Sequence, residues 1–365
     1  MTGSFSESAS GDLGATMPVA VLYGIRDVRI EERPTPQLGP DDVLIEVSHC
    51  GICGSDIHFI VEWPGAAKPG SIEGHEFSGT IAAVGSAVTG WQVGDQVVGG
   101  PSPRCGRCRF CVAGRPSLCE ERGRVGADSD DWQGAFARYK RMPAHQLLRV
   151  PEGLTLKHAA LVEPMAVALH GITRSGGVDT AQRYLVTGGG PIGFLSVAAL
   201  KAAGVGDVVV SEPHAGRRAL CEQLGARAIT PDDLAIPAMP HDIVAEPFDV
   251  VLECSGNKAA MEAGLAQLRR GGRLVLVGAG IRAPRFDPNR ILLNELEITG
   301  SFVYDAGGFD RALELLASGR VPLDVLVEPD DIPLDAIVDA SVDLFEGRRP
   351  AKAMVVPRLS GSVNP

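Results

Sequence analysis

The sequence has no surplus of positive charge and no long apolar run. Lysine and arginine number 34 against 45 aspartates and glutamates, giving a formal net charge of −11. A chain of that sign repels phosphate backbones and anionic lipid surfaces, so neither nucleic acid nor membrane is expected as a partner. No apolar stretch approaches the ~20 residues that a bilayer-spanning helix needs. Residues 1–16 are rich in serine and glycine and hold no lysine or arginine. They lack the basic start and apolar middle of a signal peptide and the arginine-rich pattern of an organelle presequence. This segment reads as a disordered extension, and the expected location is the cytoplasm. Aromatic residues are sparse, at 5%.

A chain of 365 residues is comfortable for two domains, and 45% hydrophobic with 22% charged residues is ordinary for globular ones. From Val19 to Gly100, short apolar segments such as 28–30, 43–47, 80–84 and 96–98 are punctuated by Gly85, Gly90, Gly94 and Gly99. That spacing predicts a partly open β-barrel. Residues 104–131 are irregular, charged and cysteine-rich, and read as an inserted lobe. Near Glu163 the texture changes. Apolar runs at 184–187, 208–210, 248–252 and 274–277 alternate with helical spacing at 165–174, 191–203, 215–224 and 258–268. Continuous apolar strands alternating with helices predict a parallel sheet covered on both faces. A last helix is expected over 309–318, and the segments beyond it, ending at 354–356, either extend that sheet or return to the first domain. The fold class is α/β.

Four of the 8 cysteines form one tight cluster, Cys105-x2-Cys108-x2-Cys111-x7-Cys119. In a reducing compartment this spacing favours metal over disulfides. Four thiolates fill a tetrahedral zinc and leave no place for substrate, so this zinc would be structural. A second, dispersed set comprises Cys53, the pair His75-Glu76, and Glu163. Thiolate, imidazole and carboxylate are all zinc ligands, and a mixed set can leave a position open; taken singly, each residue is as readily a core thiol or a turn. A third signal is Gly188-x-Gly190-x-x-Gly193, which follows an apolar strand and opens a helix at Pro191 and Ile192. Glu212 stands at the end of the next apolar strand, about 20 residues on, as the dinucleotide fingerprint requires. The helix N-terminus would face the pyrophosphate. Glu212 would accept the adenosine ribose hydroxyls, favouring NAD over NADP.

Gly51-Ile52-Cys53-Gly54-Ser55-Asp56-Ile57-His58, Gly74-His75-Glu76, the four-cysteine lobe, Glu163-Pro164 and Gly188 to Gly193 occur together in one order. In this the chain resembles the zinc-dependent medium-chain dehydrogenases of the alcohol dehydrogenase superfamily, in their sorbitol, threonine and butanediol dehydrogenase branch, from about Pro18 to Pro357. The resemblance implies a GroES-like catalytic domain over 17–165, with the zinc lobe at about 101–131. A Rossmann domain over 166–302 and a segment 303–365 returning to the catalytic domain would follow. It implies two zinc ions per chain, the catalytic one in the cleft between domains on Cys53 and His75, with Glu76 and Glu163 as alternative or exchanging ligands. In the liver-type alcohol dehydrogenases a cysteine takes the position of Glu163. Ser55 and His58 match the family's proton relay and Asp56 a buried supporting residue. Arg217, Cys254-Ser255-Gly256, Val277-Gly278 and Ser301 match cofactor contacts. The remaining histidines match no ligand spacing, and His170, on an apolar helix, reads as a satisfied core residue.

The implied reaction moves hydride between a secondary alcohol, diol or polyol, or an L-threonine-like hydroxy compound, and NAD, leaving a ketone or aldehyde. A homodimer or homotetramer is expected. Two competing readings are a zinc-free quinone or enone reductase on the same scaffold, and a non-catalytic nucleotide-binding relative with only the structural zinc. The first would lack metal ligands and the second would have lost Cys53, His75 or the relay. Substrate choice would rest on Phe59, Trp63, Phe302 and Tyr304; the stretch Gly300 to Tyr304 resembles that of the butanediol dehydrogenase group, which implies vicinal diols or acetoin.

Overall fold

The computed structural model describes residues 13–62, 68–100, 105–121 and 133–361. Residues 1–12 of the N-terminal extension, Trp63, and the outer parts of the cysteine-rich lobe lie outside the described residues. The chain opens with an antiparallel pair, β1 (Thr16–Gly24) and β2 (Asp27–Pro34). Thr16, taken from composition as the end of the extension, is the first residue of β1. A second sheet holds β3 (Asp42–Gly51), β4 (Glu76–Val84), β5 (Gln96–Gly99), β6 (Tyr139–Pro143) and β7 (Leu147–Arg149). The alternation of apolar and polar residues along these strands gives each one face to bury. Val43, Ile45, Val47, Phe77, Ile81 and Val97 fill one core.

The parallel sheet contains β8 (Tyr184–Thr187), β9 (Val208–Ser211), β10 (Arg227–Ile229), β11 (Phe248–Glu253), β12 (Leu268–Leu276) and β13 (Glu297–Gly300). Its order is β10-β9-β8-β11-β12-β13. Strand order therefore reverses between β8 and β11, and a crevice opens at their carboxyl ends, where ligands bind in open α/β sheets. Tyr184, Leu185, Val186, Val209, Val210, Val251 and Leu252 are fully buried, as strands covered on both faces must be. β10 has only three residues and was not anticipated. The helix expected to end at Leu268 stops at Ala266, and Leu268 begins β12 instead.

β14 (Ile332–Pro333) and β15 (Met354–Val356) lie beyond the parallel sheet in sequence but not in space. β15 pairs antiparallel with β3, placing Met354 opposite Gly51. The helix Val162–Arg174 sits in a core shared by the two sheets, with Val98 from one and Tyr184 and Val186 from the other. It begins three residues earlier than its apolar periodicity indicates, because Pro164 falls in the first turn, where an N–H has no helical acceptor to lose. That early start puts Glu163 on the buried first turn.

Candidate active site and metal centres

All eight cysteines are free thiols. In the lobe, Cys105, Cys108, Cys111 and Cys119 bring their sulfurs within 4.8 Å of one another. Cys105 and Cys111 Sγ are 3.9 Å apart, close to the ~3.8 Å edge of a tetrahedron with Zn–S bonds of ~2.3 Å. The Cys108 N–H donates to Cys105 Sγ at 3.3 Å and the Cys105 N–H to Cys119 Sγ at 3.5 Å. Backbone donors of Cys111 and Glu120 hold the Cys108 thiol down to about 6. Four sulfurs so arranged fit one zinc and leave no open position.

The dispersed set also converges. Cys53 caps the short helix Gly54–Ile57, His75 precedes β4, and Glu76 is its first residue. Their ligand atoms lie within 4.8 Å of one another. Glu163, on the helix Val162–Arg174, lies outside that cluster of ligand atoms but feels the charges of His75 and Glu76; burial pushes its carboxyl up to about 7 and the charge of His75 opposes the shift. Burial works against a charged His75, yet Cys53, Asp56 and Glu163 outweigh it and lift its pKa well above normal. A group of donors that negative is suited to a divalent cation. Asp56 is fully buried, with its carboxyl pushed up to about 6 by burial. It accepts the Cys53 N–H at 2.8 Å and stands 3.9 Å from His75 Nδ1. It thus fixes the backbone of one candidate ligand and faces the ring of another.

Glu76 is 1% exposed and forms an ion pair with Lys352, itself 1% exposed. Its other oxygen, Oε1, accepts no hydrogen bond. Lys352 comes from the segment leading into β15. The space it occupies exists because Gly51, opposite Glu76 in the β3–β4 register, has no side chain. A Cβ at Gly51 would stand 2.7 Å from Lys352 Cε.

The glycine turn joins β8 to the helix Pro191–Ala202 at the reversal of strand order. Gly188 has φ +95°, and a Cβ there would lie 2.9 Å from the Ser255 backbone. A Cβ at Gly193 would strike the Gly188 carbonyl, whereas Gly190, at the helix N-terminus, faces open space. The turn is closed against protein on two sides and open on the third, which fits a pyrophosphate at the helix N-terminus. Glu212, 2% exposed, accepts the N–H of Gly189 at 2.7 Å and of His214 at 2.8 Å. The carboxylate therefore touches the turn itself. Ser255 lies on the floor of the crevice, held by Glu253, which accepts the Ser255 N–H at 2.8 Å and the Gly256 N–H at 3.1 Å. Val277 and Gly278 follow β12, their N–H groups on the Glu253 carbonyl at 2.8 Å each. Ser301 follows β13 and its buried Oγ has no hydrogen-bond partner among the described residues. Such an orphaned hydroxyl at the carboxyl edge is suited to a polar ligand.

Two family models match the chain: the alcohol dehydrogenase GroES-like domain at residues 39–152, and the zinc-binding dehydrogenase domain at residues 191–318. Sorbitol dehydrogenase of Bacillus subtilis (strain 168) is 34% identical, over 93% of this chain and 97% of its own. The chain belongs to the zinc-dependent medium-chain dehydrogenases. The crystal structure of 2R,3R-butanediol dehydrogenase from Bacillus subtilis superposes with a TM-score of 0.82 at 30% identity, covering 94% of this chain and all of that one (100%). A zinc-binding dehydrogenase from Sinorhizobium meliloti 1021, solved bound to NADP, gives a TM-score of 0.81 at 31% identity, with 94% and 100% covered. The protein is an alcohol oxidoreductase of the sorbitol dehydrogenase-like branch, which rules out the two competing readings of the sequence.

In this dehydrogenase some expected site residues stand elsewhere than foreseen. His58 Nδ1 is 2.6 Å from Glu62 Oε2, and no hydrogen bond joins Ser55 to His58. Glu62 was missed, although His-x3-Glu is the spacing of one helical turn. Arg217 Nη2 donates to the Leu344 carbonyl at 2.7 Å, and its buried Nε makes no hydrogen bond among the described residues. His170 is buried as expected, but its Nδ1 has no hydrogen bond and stands 3.6 Å from Asp305. Lys352 carried no sequence signal at all. The helices of the described residues include none long and apolar enough to cross a membrane.

Proposed function

We propose that this enzyme oxidises a secondary alcohol within a vicinal diol or polyol, with NAD as hydride acceptor. One zinc would sit at Cys53, His75 and one of the two carboxylates, and a second in the four-cysteine lobe. The observation carrying this reading is the convergence of Cys53, His75 and Glu76 within 4.8 Å, with Glu163 entering from the buried helix. When bound, zinc supplies Lewis acidity to the alcohol oxygen and the nicotinamide accepts hydride. The protein's own part is positioning and proton handling. Asp56 fixes Cys53 and faces His75, and Lys352 holds Glu76 to one side. Ser55, next but one to Cys53, and His58 would carry the alcohol proton outward, joined by the bound substrate and cofactor rather than by a hydrogen bond of their own. Glu62 occupies His58 Nδ1, leaving Nε2 to take that proton.

The preference for NAD rests on Glu212, whose buried carboxylate would receive ribose hydroxyls and repel a 2′-phosphate. Arg217 has one guanidinium nitrogen engaged by the Leu344 carbonyl. The diol and polyol reading is supported by the names of the relatives, a sorbitol and a butanediol dehydrogenase. Self-association through β13 is part of the proposal. That strand ends its sheet, and Leu292 and Leu293 of the helix that precedes it, with Ile281, are 71%, 54% and 60% exposed, apolar surface of the kind that association covers. Eight free thiols suit a reducing cytoplasm. The test is a kinetic screen of secondary alcohols, vicinal diols, polyols and L-threonine with both cofactors. The expected result is highest kcat/KM for a diol or polyol with NAD. Preference for a simple alcohol, or equal use of NADP, overturns the corresponding half of the proposal.

A further inference from the structure

The segment from Ser301 to Asp305 leaves the carboxyl end of β13 and enters the helix Gly308–Ala317. At its start, the Ser301 N–H is held by the Leu276 carbonyl at 2.9 Å, so it begins on the crevice edge of the parallel sheet. In its middle, Val303 has φ +46°. A β-branched residue in the left-handed region is a true outlier, which persists only where its surroundings impose it. Phe302 is 50% exposed, and a cavity of about 380 Å³, bounded by Gly100, Pro116, His145, Tyr304 and Phe309, borders the strap.

The restraint comes from Asp305. Ser117 Oγ donates to its Oδ1 at 2.6 Å, and Arg115 Nε stands 3.2 Å from Oδ2; both residues belong to the four-cysteine lobe. The Ala306 N–H reaches the carbonyl of Gly114 in the same lobe at 3.4 Å. His170 faces Oδ2 at 3.6 Å from the helix that carries Glu163 at its other end. One carboxylate is thus the meeting point of the lobe, the Glu163 helix and the strap on the crevice edge.

The geometry points to Asp305 as a positioning residue through which the four-cysteine lobe sets the Ser301–Asp305 strap against the reaction cleft. The lobe then contributes to turnover without touching substrate. The inference rests on the dehydrogenase activity but on no particular alcohol. Its primary readout is hydrogen–deuterium exchange of the peptide covering residues 296–310 in the zinc-loaded enzyme, which needs no substrate. In Asp305→Asn, exchange there should rise by about tenfold, with zinc content unchanged. Ser117→Ala should give a smaller rise in the same peptide, and guards against a folding defect in the first variant. Loosening the lobe by Cys108→Ser should raise exchange in the same peptide, and adding Asp305→Asn to it should add little more, as expected of residues acting as one unit. With the best substrate of the screen, kcat/KM of Asp305→Asn should fall about 10- to 100-fold at unchanged melting temperature, the loss expected when a positioned segment shifts by about an ångström. The inference is overturned by wild-type exchange in Asp305→Asn and Ser117→Ala, by additive effects of Cys108→Ser and Asp305→Asn, or by faster exchange with unchanged kcat/KM.

Discussion

Replacing Lys352 with methionine tests the arrangement of the catalytic carboxylates most directly. Lys352 and Glu76 are each 1% exposed, and Glu76 Oε1 accepts no hydrogen bond. The variant leaves a buried carboxylate without its ion-pair partner, unless a metal takes that place. Breaking a buried pair on one side costs about 3–5 kcal/mol. At ~2–4 °C per kcal/mol for a domain of this size, the zinc-stripped protein should melt about 6–20 °C lower than the stripped wild type. Zinc should repair part of the loss, because a divalent cation within reach of Cys53 and His75 would draw the released carboxylate to itself. The melting temperature of the variant should therefore rise more on zinc addition than that of the wild type, and competition with a chelating dye should show equal or tighter metal binding. Calorimetry on stripped and reloaded protein measures the two melting shifts, and the dye competition measures the affinity. A stripped variant that melts with the wild type would refute the reasoning, since the pair would then contribute nothing.

Metal analysis of the fully loaded protein should return two zinc ions per chain, and Cys53→Ala should retain one, as the two separate ligand sets require; a single zinc in the unmodified protein rules this out. Glu76→Ala and Glu163→Ala should differ: the direct ligand's loss should remove catalytic zinc, while the other variant should keep zinc and turn over about 10–100-fold more slowly. Full zinc and full turnover in either variant would remove that residue from the site. Lys140 is fully buried, and burial pulls its ammonium down to about 7. Between pH 7 and 10 the unfolded chain therefore binds the extra proton, so stability should rise with pH, by at most about 1.4 kcal/mol per unit. Lys140→Met should flatten that slope in denaturant titrations, and an unchanged slope would assign it to other groups.

Much of the site was legible because its chemistry is local in sequence. The four-cysteine spacing, the glycine turn after an apolar strand, and an acidic residue at the end of the next strand each carry their geometry with them. The dispersed set was weaker, since Cys53, His75 and Glu163 meet only through the packing of three elements. The family resemblance, not spacing, brought them together. Lys352 was invisible because nothing in Ala351-Lys352-Ala353 distinguishes a buried cation from a surface one. Its role arises from β15 pairing with β3, a contact between the two ends of the chain. Arg217 was named through the family resemblance alone; the bond from its guanidinium to the Leu344 carbonyl, on a helix near the C-terminus, carries no signal in the sequence around it. β10 escaped because three residues carry too little periodicity to register.

Gly51 gives the buried pair a history as well as a place. Any side chain there runs into the Lys352 stem and the Glu76 carboxylate, so the absence of a side chain on β3 is a condition for the charges on β4 and before β15. An alanine at position 51 would press on both members of the pair and force them to shift, while either charge lost alone strands the other in a buried place. Each single step away from the trio thus passes through a damaged protein. Positions 51, 76 and 352, far apart along the chain, should behave in any lineage or mutant library as one heritable character, exchanged together or kept.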